Sequence, residues 1–418
     1  MSMLTTATRM YLTRSFRPFT FVPDDGSVMP DLSGTATPGL YVHIPFCRSI
    51  CNFCPYCKTI FDRAQYESYI AALKSEIELF SGGFRSPLTV SSLYFGGGSP
   101  ALAENELGGI IGTLRKYYRI TDGIGMELHP DDVSVDTLRK LKDAGVTRIS
   151  IGIQSFQEKF QALLGRKAVD VAALKRALSQ AEFETVSMDF IFALPGQSPE
   201  DLKSDVRTAF DNGANHVAIY PFINFSFAST PVNAAGNREK RRLLDDITEY
   251  FRETGCCRDS IWTFTRNPAH RYSSMTRDNF IGFGCSATTL LRHQFRVNTF
   301  SVDAYCRRIA EGRLPTALRC DFTARQRMLY WLFWRLYTTR LPVGDFEAFF
   351  GVPLNRVFGT ELKLAKLAGM LRERAGVLEL TGKGAFYFHY YEGYYTLAYI
   401  DQMWGLLREN PFPSGMTL

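Results

Sequence analysis

The chain has 418 residues, of which 45% are apolar, 14% aromatic and 22% charged, an ordinary globular composition that excludes a disordered, fibrous or disulfide-stapled chain and suffices for one large domain and an accessory one. Its formal net charge of +6 arises from 48 basic and 42 acidic residues spread along the chain, too mild and dispersed a bias for a nucleic-acid partner. No run reaches the roughly 18 uncharged apolar residues that a spanning helix needs; even the aromatic stretch from Phe386 to Ile400 carries His389 and Glu392, so a soluble protein with no membrane span is expected.

Taken in chain order, residues 1–38 form an N-terminal arm in which Arg9, Arg14 and Arg17 stand among Ser and Thr with no acidic residue before Asp24. That composition suits an organellar transit peptide as well as an arm packed on the main domain; the expectation adopted is the packed arm of a cytoplasmic protein. From residue 39 to about 300, short β-rich runs alternate with helical patterns, the candidate strands being Leu40–Ile44, Ser91–Phe95, Ile124–Leu128, Arg148–Ile153, Thr185–Ala193 and His216–Tyr220. Between the first two, Tyr66, Ile70, Leu73, Ile77 and Phe80 recur at spacings of four and three, one apolar face of a 3.6-period helix. Repeated strand–helix units predict a parallel sheet covered by helices, an α/β fold. Periodicity leaves a barrel, a partial barrel and an open doubly wound sheet undecided. In residues 301–418 the pattern changes: Phe322–Leu341 and Leu354–Leu371 read as helices and Gly376–Phe388 as a short hairpin, or a strand followed by a helix. A smaller, mainly helical C-terminal domain is expected there.

Nine cysteines are unevenly placed, and Cys47, Cys51, Cys54 and Cys57 fall within eleven residues. An odd count clustered at one point argues for thiolate chemistry in a reducing compartment. Cys47, Cys51 and Cys54 give C-x3-C-x2-C directly after the first strand. Three thiolates on one loop can hold three irons of a 4Fe–4S cluster and leave the fourth iron open for a ligand. The alternative, a four-cysteine zinc site that includes Cys57, is disfavoured because structural zinc sites usually pair two separated cysteine hairpins.

With its leading Tyr-x-His-Ile-Pro-Phe, this motif resembles that of the radical S-adenosylmethionine (SAM) superfamily and, within it, the oxygen-independent coproporphyrinogen III oxidase-like family, from about residue 39 to 290 and more loosely beyond. The resemblance implies a partial (β/α)6 barrel of the radical SAM type, a winged-helix-like C-terminal domain, and a 4Fe–4S cluster held by Cys47, Cys51 and Cys54. It also implies that SAM binds the open iron and that one electron, from a donor such as flavodoxin or ferredoxin, cleaves it to methionine and a 5′-deoxyadenosyl radical. Tyr41, Phe53, Gly97, Glu127 and Thr288 match positions for this first SAM; Gly98, Ser99, Gln154, Arg166, Asp189 and, more loosely, Ile223 match positions that bind a second SAM in the coproporphyrinogen enzyme.

Departures bear on the reaction. Cys57 sits three residues after Cys54, where the family's extra cysteine sits two after; His129 replaces an acidic or amide residue; and the substrate-facing stretch from Tyr220 to Ser229 has little similarity to the decarboxylating enzyme. The expectation is therefore a two-SAM enzyme that methylates, or otherwise modifies through a SAM methylene radical, a planar aromatic or tetrapyrrole-like substrate. Oxidative decarboxylation of coproporphyrinogen III is the alternative. A haem-binding chaperone ranks last, because its His-Asn-x-x-Tyr-Trp motif is replaced by the run that begins at His270.

Overall fold

The computed structural model describes residues 9–15, 18–228, 233–266 and 278–418. Each strand expected from periodicity forms, and six strand–helix units follow one another: β1 (Gly39–Ile44), α1 (Arg63–Ser81), β2 (Leu93–Gly97), α2 (Leu107–Tyr117), β3 (Ile124–Leu128), α3 (Val135–Asp143), β4 (Arg148–Gln154), α4 (Val171–Leu178), β5 (Thr185–Phe192), α5 (Pro199–Asp211), β6 (His216–Pro221) and α6 (Asn237–Glu253). Local signals start the helices. The Asp62 carboxylate caps α1 by accepting from Gln65 N at 2.9 Å, and Ser198 with Asp201 forms a reciprocal capping box on α5, each satisfying amide donors that the first turn leaves open.

The strands pair in parallel in the order β6-β5-β4-β3-β2-β1, and β7 (Phe280–Phe283) lies parallel on the far side of β1. Strand order decides what periodicity could not. A doubly wound sheet reverses its order and so puts helices on both faces; an order that climbs without reversal, with right-handed crossovers, puts every helix on one face and leaves the other concave. The domain is thus a partial (β/α)6 barrel in which, among the described residues, β6 does not pair with β1. Alternation within the strands agrees. Ile149, Ile151 and Ile153 of β4, Val186, Met188 and Phe190 of β5, and Val217 and Ile219 of β6 are buried in the core. The intervening Ser150, Gly152 and Gln154, Ser187, Asp189 and Ile191, and His216, Ala218 and Tyr220 line a cavity, as a two-residue period requires.

The sheet runs on past β7 through antiparallel β8 (Thr288–Leu290), β9 (Gln294–Asn298) and β10 (Thr316–Asp321). Two segments remote in sequence, Thr20–Pro23 of the arm and Met416–Thr417, complete its outer edge. Beyond α7 (Val302–Ala310), the helices α8 (Ala324–Leu336), α9 (Val343–Phe350) and α10 (Leu354–Leu367) join a three-stranded antiparallel sheet of β11 (Arg340–Pro342), β12 (Leu371–Arg374) and β13 (Val377–Leu380). Trp331, Leu341, Phe346, Phe358 and Leu378 form a core of their own there, giving a winged-helix-like module. The helix expected to reach Leu341 stops at Leu336, because Thr339 adopts φ 62° and turns the chain into β11. The aromatic run lies on α11 (Gly382–Tyr395), where Phe388 stacks on Phe333 at 4.5 Å, and on the π-helical turn Thr396–Ile400 that follows it. No helix among the described residues is long and apolar enough to cross a membrane.

Candidate active site

The three clustered thiols lie on the loop after β1, at the carboxyl ends of the strands, where parallel α/β folds place their chemistry. Cys47, Cys51 and Cys54 all line one cavity of about 550 Å³, which also takes in Phe53, Gly97, Gly98, Ser99, Glu127, Gln154, Arg166, Asp189 and Ile223. Tyr41 and Thr288 are not in its wall. The Tyr41 hydroxyl lies 3.0 Å from His43 Nδ1, and a side chain at Gly96 would meet both that hydroxyl and Glu127 Oε2. Thr288 begins β8, packed against Gly282.

Several features fit these thiols to a metal cluster. Burial and the neighbouring thiols push Cys47 up to about 12, and burial raises Cys54 as well; thiols so placed resist ionising on their own, and bound cationic iron reverses that balance. Arg166 adds a positive charge, its Nε donating to Cys51 Sγ at 3.2 Å while its guanidinium bonds the Gly152 carbonyl and lies over the Phe53 ring. The glycine loop after β2 presses against the same place. A Cβ on Gly98 would fall 2.6 Å from the Phe46 carbonyl and 2.8 Å from Cys47 Sγ, so only glycine brings backbone this close to the cluster loop. Its amide donates to Ile44 O at 2.8 Å, and Ser99 N donates to Phe46 O at 2.7 Å. Ser99 Oγ bonds Asp132, which also pairs with Arg48 at 3.0 Å.

The carboxylates differ in setting. Burial pushes Glu127 up to about 7 although Gly97 N donates to it at 3.2 Å, and burial pushes Asp189 up to about 6 against hydroxyl bonds from Ser150 at 2.8 Å and Ser187 at 3.2 Å. A cationic ligand arriving at either would favour its ionised form. Gln154 ends β4 with φ 70°, the left-handed region that a non-glycine residue occupies only where the surroundings enforce it. His129, a departure from the family pattern, accepts from Asp131 N at 3.2 Å and is pushed down to about 4 by burial, hence neutral. The sequence did not single out the cavity floor of Ser150, Ser187, His216, Asp259 and Thr263, nor the rings of Trp262, Trp334 and Tyr337 in its wall. No local motif marks them; only the two-residue alternation of β4 to β6 carried a signal.

Two supports hold the site from behind. Glu76 of α1, fully buried, accepts from Gly284 N at 2.7 Å, Tyr305 Oη at 2.6 Å and Asn298 Nδ2 at 3.1 Å, tying the late glycine turn to the barrel. Replacing it by Gln turns an amide donor toward one of these donors, so Glu76→Gln is expected to cost about 1–3 kcal/mol in denaturant unfolding. Burial pushes this carboxyl up to about 7 from 4.5, so its contribution is whole below the unfolded value and is lost as pH rises through the folded one. The wild type's advantage over the Gln variant should accordingly shrink between about pH 5 and about pH 8; an unchanged gap would remove Glu76 as the titrating group.

The second support is α12 (Asp401–Glu409). Its Trp404 packs against Tyr56 at 5.9 Å, Phe300 at 6.1 Å and Phe225 at 6.4 Å, the last stacked, and Arg408 bonds the Pro55 carbonyl. The C-terminal segment thereby braces the cluster loop against the substrate-facing stretch. Trp404 is half-buried, so Trp404→Ala is expected to cost less than the about 3–5 kcal/mol of a core tryptophan and to speed bleaching of the cluster absorbance in air.

Three thiols, a glycine loop and a carboxylate gather at the open end of a partial barrel, a donor set that fits an iron–sulfur cluster with one open iron. Comparison with known proteins agrees: the radical SAM superfamily matches residues 41–209. The chain is 25% identical over 362 residues to the heme chaperone HemW of Bacillus subtilis, covering 82% of this chain and 95% of that one. It is 24% identical to the oxygen-independent coproporphyrinogen III oxidase of Pseudomonas aeruginosa, covering 82% of each. It is 27% identical to the anaerobilin synthase of Escherichia coli O157:H7, covering 85% of this chain and 84% of that one. In fold it is similar to the coproporphyrinogen III oxidase HemN of Escherichia coli, with a TM-score of 0.74 at 21% identity over 91% of this chain and 96% of that one. Residues 41–209 thus carry a radical SAM domain, in a chain similar over more than four fifths of its length to oxygen-independent coproporphyrinogen III oxidases and HemW-type proteins, and the cofactors that go with this domain are a 4Fe–4S cluster and SAM.

Proposed function

We propose that this radical SAM enzyme binds two SAM molecules and methylates a planar tetrapyrrole through a SAM methylene radical. Cys47, Cys51 and Cys54 hold the cluster, and Arg166 offsets the charge of the Cys51 thiolate. Gly97, with Tyr41, Phe53, Glu127 and Thr288, serves the first SAM; Gly98, Ser99, Gln154, Arg166, Asp189 and Ile223 serve the second. When bound, the cluster and SAM supply a 5′-deoxyadenosyl radical. Phe222, Trp262, Trp334 and Tyr337 flank the remaining space and suit a flat aromatic ligand. The relatives named for haem, coproporphyrinogen and anaerobilin support a tetrapyrrole as that ligand. The protein is taken to work in the cytoplasm with a flavodoxin- or ferredoxin-type donor.

The placement of charge carries the preference for methyl transfer over decarboxylation. Among the described residues the cavity's only lysine and arginines are Arg48, Lys58 and Arg166. All three stand at the cluster end with partners: Asp132, the Cys54 carbonyl, and Cys51 with Gly152. The floor instead carries Asp189, Asp259 and His216, and burial holds this imidazole near 4 and so neutral. A propionate aimed for hydrogen abstraction finds no counter-ion among the described residues there. The residues from His270 to Arg277, where a chaperone would carry its motif, lie outside the described residues.

The test is anaerobic: reconstituted protein, SAM and dithionite with coproporphyrinogen III or haem, measuring 5′-deoxyadenosine and S-adenosylhomocysteine together. Both products with a methylated tetrapyrrole are expected. Carbon dioxide with deoxyadenosine and no homocysteine product would establish the decarboxylase instead. Tetrapyrrole binding with neither product would establish a chaperone-like protein.

A further inference from the structure

Cys57, the fourth cysteine of the run, is absent from the cavity wall that holds the other three. Its side chain is buried on another side of the loop, with Sγ 4.0 Å from Cys285 Sγ and 3.1 Å from the Phe300 carbonyl. Cys285 belongs to the late glycine turn, 228 residues away in sequence. His43 of β1 completes the group: one donor atom from each of His43, Cys57 and Cys285 lies within 4.8 Å of the others, and all three residues are buried. We propose that these three residues hold a zinc ion, a second metal site separate from the cluster, which ties β1, the cluster loop and the glycine turn together.

Geometry supports the ion in two ways. Two thiolate sulfurs 4.0 Å apart, each about 2.3 Å from a shared zinc, subtend about 120°, close to tetrahedral. The imidazole is held from its other nitrogen, with Nδ1 3.0 Å from the Tyr41 hydroxyl, the outer hydrogen bond that orients metal-binding histidines. Nε2 lies 2.9 Å from the Cys57 carbonyl and 3.3 Å from Ser286 Oγ, so the metal-free chain satisfies it by donating to that carbonyl. On loading, the Nε2 proton moves to Nδ1, which then donates to the tyrosine oxygen; the two thiols release their protons to solvent and two sulfur–zinc bonds form. No electron changes hands. A divalent ion with two thiolates and a neutral imidazole carries no net charge, the combination that a buried pocket tolerates best, and sulfur with nitrogen is the donor set that zinc prefers. Because the pocket is closed in the folded chain, the ion enters as the protein folds.

The experiment uses the full chain, expressed with zinc supplied and purified anaerobically, with zinc and iron counted per chain; it is independent of what the large cavity binds. About one zinc per chain is expected in the wild type. It should persist in a Cys47→Ala/Cys51→Ala/Cys54→Ala triple variant that has lost its cluster iron, and vanish in Cys57→Ser and Cys285→Ser proteins that still reconstitute iron. If those single variants do not fold, cobalt supplied during expression of the triple variant reads the site directly, through a thiolate-to-cobalt absorption band. Zinc absent from the wild type, or zinc lost with the cluster cysteines but kept in Cys285→Ser, overturns the proposal. So does a cobalt-loaded triple variant without the band.

Discussion

Cys51→Ala protein, reconstituted anaerobically with iron and sulfide, is expected to carry no intact cluster and to release no 5′-deoxyadenosine above background, whereas Cys57→Ala keeps its iron. The contrast follows from placement. Cys47, Cys51 and Cys54 face one cavity and Cys57 does not, so three of the four closely spaced thiols can share one cluster. Removing one of three thiolates leaves a second iron without a protein ligand, and the Arg166 guanidinium then faces no sulfur. Iron and sulfide analysis with SAM cleavage under dithionite reads the result. Full iron content in Cys51→Ala, or loss of the cluster in Cys57→Ala, would sink this assignment of ligands.

On the proposed two-SAM reading, Asp189→Asn is expected to separate the two sites. The amide oxygen still accepts from Ser150 and Ser187 as the carboxylate does, so the fold is kept and only the charge is lost. 5′-Deoxyadenosine formation should change little. S-Adenosylhomocysteine formation should fall about 10- to 150-fold, the loss of one charge-assisted bond worth about 1.5–3 kcal/mol. The pH profile gives an independent reading. Burial pushes this carboxyl up to about 6, so its ionised form, the one that binds a cation, grows as pH rises through that value. The wild type should form more homocysteine product per deoxyadenosine from about pH 5 to about pH 7, while the Asn variant stays flat. An equal loss of both products would mean that Asp189 serves the first SAM or the fold instead.

Much of this was legible without coordinates because it is local. Six strands and the helix faces between them are periodic in the sequence. The C-x3-C-x2-C run and the glycines after β2 report chemistry for the same reason, since their spacing is set by one loop and one close backbone approach. The C-terminal module was legible as helices, but not its three-stranded sheet, in which β11 pairs with β13 across most of the module. A short strand carries too little alternation to announce a distant partner.

The sequence by itself determined an α/β chain with three thiols after the first strand, enough for its superfamily. Tertiary structure decided the barrel, because handed crossovers in an unreversed strand order collect every helix on one face and no single segment encodes that order. It decided that Arg166 stands on Cys51, 115 residues distant, and that Asp189 shares its floor with His216 and Asp259. It also decided the place of Cys57. In sequence that residue is a fourth member of one run; in space it belongs with Cys285, because the chain between Cys54 and Lys58 turns its side chain away from the cavity and into the packed interior behind the glycine turn.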